Sequence, residues 1–302
     1  MAESQTRMIE TERGRFNVRL AGPESGPAIV MVHGWPESSY CWQGVAEHLA
    51  DDYRLIMPDL RGLGDSERTL DNAAYTKQAL AADMLGLLDS LGVNPFNLAG
   101  HDWGGAVAQE MALAAPERVR RLVILNIPVI TNTRGNAAAQ AQLRKAGGRS
   151  FWYQFFQAEP NLPEAMIPGN EKAWLGHFLK TWSLETFPED AFEEYVRCYA
   201  IEHTPATGAA YYRCYKPDMA RWAEIAGRRF AMPGLYIYGQ HDPVIIEPYT
   251  HHLDDVFDDI RLEKLDAAHF VQEERPREVA ALGLGAKRID VGGAGPAGSP
   301  AE

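Results

Sequence analysis

Residues 96–105 read Phe-Asn-Leu-Ala-Gly-His-Asp-Trp-Gly-Gly, and this stretch decides the fold. Phe96 to Ala99 is a short strand-like run, and Trp103 to Ala115 carries a helical pattern stopped by Pro116. Gly100 stands two residues before Asp102, and Gly104 and Gly105 two and three after it. Small residues at those places let a chain turn sharply from strand to helix and lift one side chain above a sheet, the geometry of a nucleophile elbow. A serine at the tip would attack an ester and give an acyl-enzyme. An aspartate attacking saturated carbon gives an alkyl ester instead. An aspartate that only caps the helix N-terminus is the plainer alternative.

Outward from the elbow, strand and helix signals alternate. Arg15 to Leu20 alternates polar and apolar residues. Ala28 to Val32 is apolar and ends in His33-Gly34-Trp35-Pro36, and Arg54 to Met57 ends in Pro58-Asp59. Leu80, Met84, Leu87, Leu88 and Leu91 share one face of a helix predicted over Thr76 to Leu91, closed by Gly92. Arg121 to Leu125 is a further strand. Apolar runs alternating with helices predict an α/β fold with a mostly parallel sheet. After Pro128 the rhythm breaks into helical runs dense in aromatics, and it resumes with Leu235 to Tyr238, a helical stretch from Pro248, the strand Ile260 to Leu265 and a helix from Gln272. The expected organisation is a sheet core of residues 1–128 and 230–302, interrupted by a helical insertion of residues 129–229. The Gly/Pro-rich segment 292–302 is expected to be a disordered tail.

Composition bounds the partners. The 302 residues suggest about two domains at roughly 150 residues each. Lys+Arg 29 against Asp+Glu 41 gives a net charge of −12, a surface that repels phosphates, so neither nucleic acid nor an anionic membrane is an expected partner. No apolar run reaches the 18 or more residues of a membrane span, and the polar start MAESQTRMIE lacks the order of a signal peptide. Three cysteines (Cys41, Cys198, Cys214) are too few for a disulfide framework, which points to the reducing cytoplasm. The pair His251-His252 with Asp254, Asp255, Asp258 and Asp259 reads as a solvated acidic helix end, and neither metal nor cofactor is expected. The backbone N–H of Trp35, in the turn after the first apolar strand, and that of Trp103 can converge on one oxygen as an oxyanion hole. Gly62-Leu63-Gly64-Asp65-Ser66 is a small-residue turn that could pack near the elbow.

The order HGWPES, DLRGLGDS, GHDWGG and PERVRRLVILN resembles the α/β-hydrolase superfamily, and more closely its epoxide hydrolase branch, over about Arg15 to Leu284. The resemblance implies an α/β-hydrolase fold with a helical cap, and a charge-relay acid and base after Asp102 in the chain. Those places hold Asp242, in Gly239-Gln240-His241-Asp242-Pro243, and His269, in Ala267-Ala268-His269-Phe270. An alternative acid position of some relatives holds Asn126, which supplies no negative charge. The resemblance also places two proton-donating tyrosines in the insertion. Phe151-Trp152-Tyr153-Gln154-Phe155 puts Tyr153 in the first role, and Ala210-Tyr211-Tyr212-Arg213 puts Tyr212 in the second, with Tyr211 one residue away as the alternative. His33, Trp103, Phe155 and Phe270 are expected at the substrate. The implied reaction converts a small apolar epoxide and water to a vicinal diol, by a monomer or homodimer. A haloalkane dehalogenase would use the same triad, but relatives of that kind carry Asn where Trp35 stands, and haloacetate enzymes carry arginines where Trp103 and Ala106 stand. A non-catalytic receptor of the same fold is the rival from another class.

Overall fold

The computed structural model describes residues 4–284; the segment 292–302 lies outside the described residues. Eight strands form one sheet: β1 (Gln5–Thr11), β2 (Gly14–Ala21), β3 (Ala28–Val32), β4 (Arg54–Pro58), β5 (Phe96–His101), β6 (Val119–Leu125), β7 (Gly234–Gly239) and β8 (Ile260–Leu265), in the order β1-β2-β4-β3-β5-β6-β7-β8. The two antiparallel pairings are those of β2 with β1 and with β4, and the other pairings are parallel. Every residue of β5 is buried, and β3 is buried from its second residue on, because helices cover both faces of a parallel sheet.

Register places the chemistry. Val32 of β3 lies beside Gly100 of β5, His101 beside Leu125 of β6, Leu125 beside Ile237 of β7, and Gly239 beside Leu265 of β8. The turns that follow β3, β5, β6, β7 and β8 therefore emerge side by side at the carboxyl edge of the sheet, where open α/β sheets hold their ligands.

Two helices of the core, α1 (Lys77–Ser90) and α2 (Trp103–Ala114), pack against each other. Between β6 and β7 come α3 (Thr133–Lys145), α4 (Trp152–Ala158), α5 (Leu162–Met166), α6 (Glu171–Leu179), α7 (Glu189–Tyr199), α8 (Thr204–Arg213) and α9 (Tyr215–Glu224), with no strand among the described residues of that segment. One apolar cluster runs without a break from the sheet into these helices and joins Trp35 and Trp103 to Tyr153, Phe178, Tyr199 and Tyr212.

Two local expectations differ. The stretch from Pro248 forms two single 3-10 turns, Glu247–Thr250 and Leu253–Asp255, rather than a helix. The expected helix from Gln272 is broken into α10 (Val271–Glu274) and α11 (Pro276–Ala281), since Pro276 has no amide hydrogen to continue a ladder. No helix among the described residues is long and apolar enough to cross a membrane.

Candidate active site

Asp102 sits between β5 and α2 with φ +47° and ψ −129°, a conformation that costs an L-residue of order 1–3 kcal/mol and persists only where the surroundings enforce it. The surroundings are backbone. A Cβ on Gly104 would lie 2.1 Å from the His33 carbonyl oxygen, and one on Gly100 would lie 2.4 Å from that of Gly104. Glycine is required at both because strand, turn and helix close on each other with no space for a methyl. The Asp102 carboxylate makes no capping bond to α2. Oδ1 instead accepts the Trp35 backbone N–H at 2.9 Å, and Oδ2 lies 3.7 Å from Nε2 of His269.

His269 follows β8 and is buried. Its Nδ1 is 2.7 Å from Oδ2 of Asp242, whose Oδ1 accepts the backbone N–H groups of Val244 and Ile245 at 2.8 and 2.9 Å. Nε2 has no hydrogen-bond partner among the described residues. Burial alone would favour neutral imidazole, but the charge and hydrogen bond of Asp242, with a further contribution from Asp102, raise the pKa to about 9.

Two phenols face this group from the insertion. Tyr153 in α4 and Tyr212 in α8 are buried with their rings 5.6 Å apart at 84°. Both pack on Trp35, Tyr153 stacked at 6.0 Å and Tyr212 edge-on at 5.4 Å, and Tyr212 also meets Trp103 at 5.7 Å. The Trp35 ring is itself fixed by an indole N–H bond of 3.1 Å to the Tyr199 hydroxyl. Burial, and to a lesser degree the nearby Asp102 charge, raise both phenols, so they stay protonated. Tyr211 points elsewhere: its hydroxyl donates to the Arg61 carbonyl at 2.8 Å, and its ring meets Tyr75.

Three residues expected at the substrate are placed otherwise. Nε2 of His33 accepts the Leu60 N–H at 2.9 Å, so Nδ1 carries the proton and donates to the Gly34 carbonyl at 2.8 Å. The ring clamps two loops and offers no free nitrogen. Phe155 is 74% exposed, because two residues along a helix turn a side chain by about 200° from the inward Tyr153. Phe270 is buried among His101, Phe187 and the His269 ring, which it meets edge-on at 5.0 Å. The small-residue turn 62–66 wraps Asp59, which accepts the Ser39 and Asp65 amides, rather than the elbow.

Other residues join the group in roles that the sequence reading did not give them. The Trp182 carbonyl accepts the His269 backbone N–H at 2.9 Å, and its ring stands 5.4 Å from His269 and 5.2 Å from Tyr153. Asn126, at φ +43°, donates to the carbonyls of Ala268 and His269 at 2.7 and 3.0 Å and accepts the Gly239 N–H at 2.8 Å. It thereby ties the turn after β6 to those after β7 and β8. Behind His269, Nε2 of His101 lies 2.8 Å from the His269 carbonyl, which can only accept. Burial lowers the His101 pKa to about 4, so this neutral ring has an acceptor at Nδ1, 3.1 Å from Oε2 of buried Glu37. Burial pushes the Glu37 carboxyl well above its usual range, which lets it supply that proton. Gln272 donates to both Glu37 oxygens at 3.0 Å.

The α/β-hydrolase fold family matches residues 27–276. Epoxide hydrolase A of Mycobacterium tuberculosis (strain ATCC 25618 / H37Rv) is 29% identical over 93% of this chain and 96% of its own. Epoxide hydrolase 2 of Siraitia grosvenorii is 31% identical over 88% of this chain and 93% of its own. Among solved structures, Epoxide Hydrolase A from Mycobacterium thermoresistibile superposes with a TM-score of 0.78 at 26% identity, covering 93% of this chain and 97% of that one. The chain belongs to the α/β-hydrolase superfamily, in its epoxide hydrolase branch.

Proposed function

We propose that the protein hydrolyses small apolar epoxides to vicinal diols through an ester on Asp102, with residues 129–229 acting as a cap over a core of residues 1–128 and 230–302. The observation that carries the reading is the setting of Asp102. One carboxylate oxygen is held by the Trp35 N–H, the other is directed toward His269, and two buried phenols pack on the same tryptophan.

In the first step the epoxide oxygen accepts hydrogen bonds from the Tyr153 and Tyr212 hydroxyls while Oδ2 of Asp102 attacks a ring carbon from the opposite side. The C–O bond of the ring breaks, a phenol proton passes to the departing oxygen, and a hydroxyalkyl ester forms. In the second, His269, held by Asp242, takes a proton from water as the water oxygen attacks Cγ of Asp102. The Trp35 and Trp103 N–H groups receive the oxyanion on Oδ1, and the Cγ–Oδ2 bond breaks as His269 returns its proton to the departing diol oxygen. The second water proton, left on the Asp102 carboxyl, restores the phenol, and the diol leaves with the oxygen that Asp102 brought. The reaction as written needs no metal or cofactor. Esterification also removes the Asp102 charge that raises the His269 pKa, so the imidazole becomes easier to deprotonate when it must act as base.

One turnover of styrene oxide in H2(18)O with enzyme in excess tests the route. The expected diol is unlabelled, with one heavy oxygen in the Asp102 carboxylate by peptide mass. Label in the first diol would overturn it. Halide release from 1-haloalkanes at rates matching epoxide opening would favour a dehalogenase instead.

A further inference from the structure

Lys77 opens α1 and has no solvent exposure, an unusual place for an ammonium and one that the reaction above does not use. Its Nζ lies 2.9 Å from Oδ2 of Asp218 in α9, 2.7 Å from the Tyr211 carbonyl in α8, and 4.0 Å from the centroid of the Trp103 ring. The Lys77 backbone N–H adds a 2.9 Å bond to Oδ1 of the same aspartate. A core side chain thus reaches the insertion at the residue that precedes Tyr212, and covers the indole that packs on Tyr212.

We propose that Lys77 is a positioning residue for the Tyr212 phenol, its ammonium locking the Tyr211 carbonyl and the Trp103 indole in the arrangement that presents that phenol to the epoxide oxygen. The proposal rests on the reading of Tyr212 as a proton donor. Stability alone gives little reason to keep such a group, because a buried ion pair is often no better than apolar side chains of similar volume. The directions of its contacts supply a reason. Tyr211 and Tyr212 are consecutive, so fixing the carbonyl of the first fixes the Cα of the second. A cation on the face of an indole also draws density from the ring and makes its N–H a stronger donor. That indole is the ring that packs edge-on against Tyr212, at 5.7 Å.

Stopped-flow tryptophan fluorescence with excess enzyme and styrene oxide separates ester formation from ester hydrolysis, and mass analysis of the trapped ester counts competent sites. The double variant Lys77→Met/Asp218→Leu removes the pair without stranding a buried charge, and Asp218→Asn keeps the ammonium with its Tyr211 and Trp103 contacts. Ester formation per competent site is expected to fall about tenfold or more in the double variant, with hydrolysis of the ester within about twofold of wild type. Asp218→Asn is expected to retain ester formation within about threefold. Ester formation at the wild-type rate in the double variant would overturn the proposal. So would an equal fall in both steps, or an Asp218→Asn loss as large as that of the double variant. A wild-type enzyme that forms no Asp102 ester at all overturns the reading of Tyr212 and this one with it, an outcome visible before any Lys77 variant is made.

Discussion

The backbone carbonyl of Trp182 accepts the backbone N–H of His269 at 2.9 Å, and the two rings stand edge to face at 5.4 Å. His269 is thereby held from two sides, by Asp242 and by a residue of the insertion. Trp182→Leu keeps the carbonyl but removes the ring contact to His269 and Tyr153. Truncating a half-buried indole should cost about 2 kcal/mol of stability, less than the full core value. Ester hydrolysis should slow more than ester formation if His269 acts in the second step, as the proposed route has it. Thermal unfolding and single-turnover rates measure the two effects.

Tyr153→Phe and Tyr212→Phe each remove a hydroxyl and keep the ring packing. Loss of one positioned acid should lower ester formation roughly 10²-fold, and the double variant should form no detectable diol. Tyr211→Phe removes only the bond to the Arg61 carbonyl, worth about 1 kcal/mol of stability, and should turn over at nearly the wild-type rate. A Tyr211→Phe variant as inactive as Tyr212→Phe would reverse their assignment.

Asn126→Ala deletes two donated bonds and one accepted bond at a residue already in the left-handed region. Leaving the buried Ala268 carbonyl and the Gly239 N–H without these partners, while the His269 carbonyl keeps His101, should cost roughly 2–4 kcal/mol. Asn126→Asp should be worse at neutral pH, since an ionised carboxylate cannot donate to the Ala268 and His269 carbonyls. Urea midpoints at pH 7 rank the two variants, and an Asp variant as stable as wild type would deny the amide its role.

The histidines give stability a pH dependence of opposite sign on either side of about pH 6.5. The folded-state pKa of His269 is raised to about 9 from 6.5, so the stability it contributes is complete below 6.5 and is lost as pH rises through 9. That of His101 is lowered to about 4, so its contribution is complete above 6.5 and is lost as pH falls through 4. Tm should peak between these limbs. His269→Gln should flatten the alkaline limb and soften the acidic one less, because the His269 charge adds to the burial that depresses His101.

The elbow was legible because its glycines report on backbone contacts that any such turn must make, and the register of five adjacent strands then brings Trp35, Asp102, Asn126, Asp242 and His269 to one edge. The direction of a side chain within a motif was less legible. His33 belongs to the right loop, yet its ring turns back to hold Leu60; Phe155 belongs to the right helix, yet the helical twist carries it to solvent. β1 escaped notice because its residues are mostly exposed at the sheet edge, so no apolar run announces it. Trp182, Glu37 and Lys77 matter through contacts with residues far away in sequence, which no local pattern encodes. The same is true of Asn126, first weighed as a failed acid and found as a three-way clamp.

The insertion between β6 and β7 also sets the order in which the ribosome delivers the working parts. Asp102 and its N–H donors emerge with the first six strands, whereas Asp242 and His269 follow only after the whole of α3 to α9 has been made. On the proposed route, a chain ending before β7 would carry Asp102 and the two phenols without Asp242 and His269, the residues that release its ester. On that route, the last two strands would turn a suicide target into a turnover catalyst.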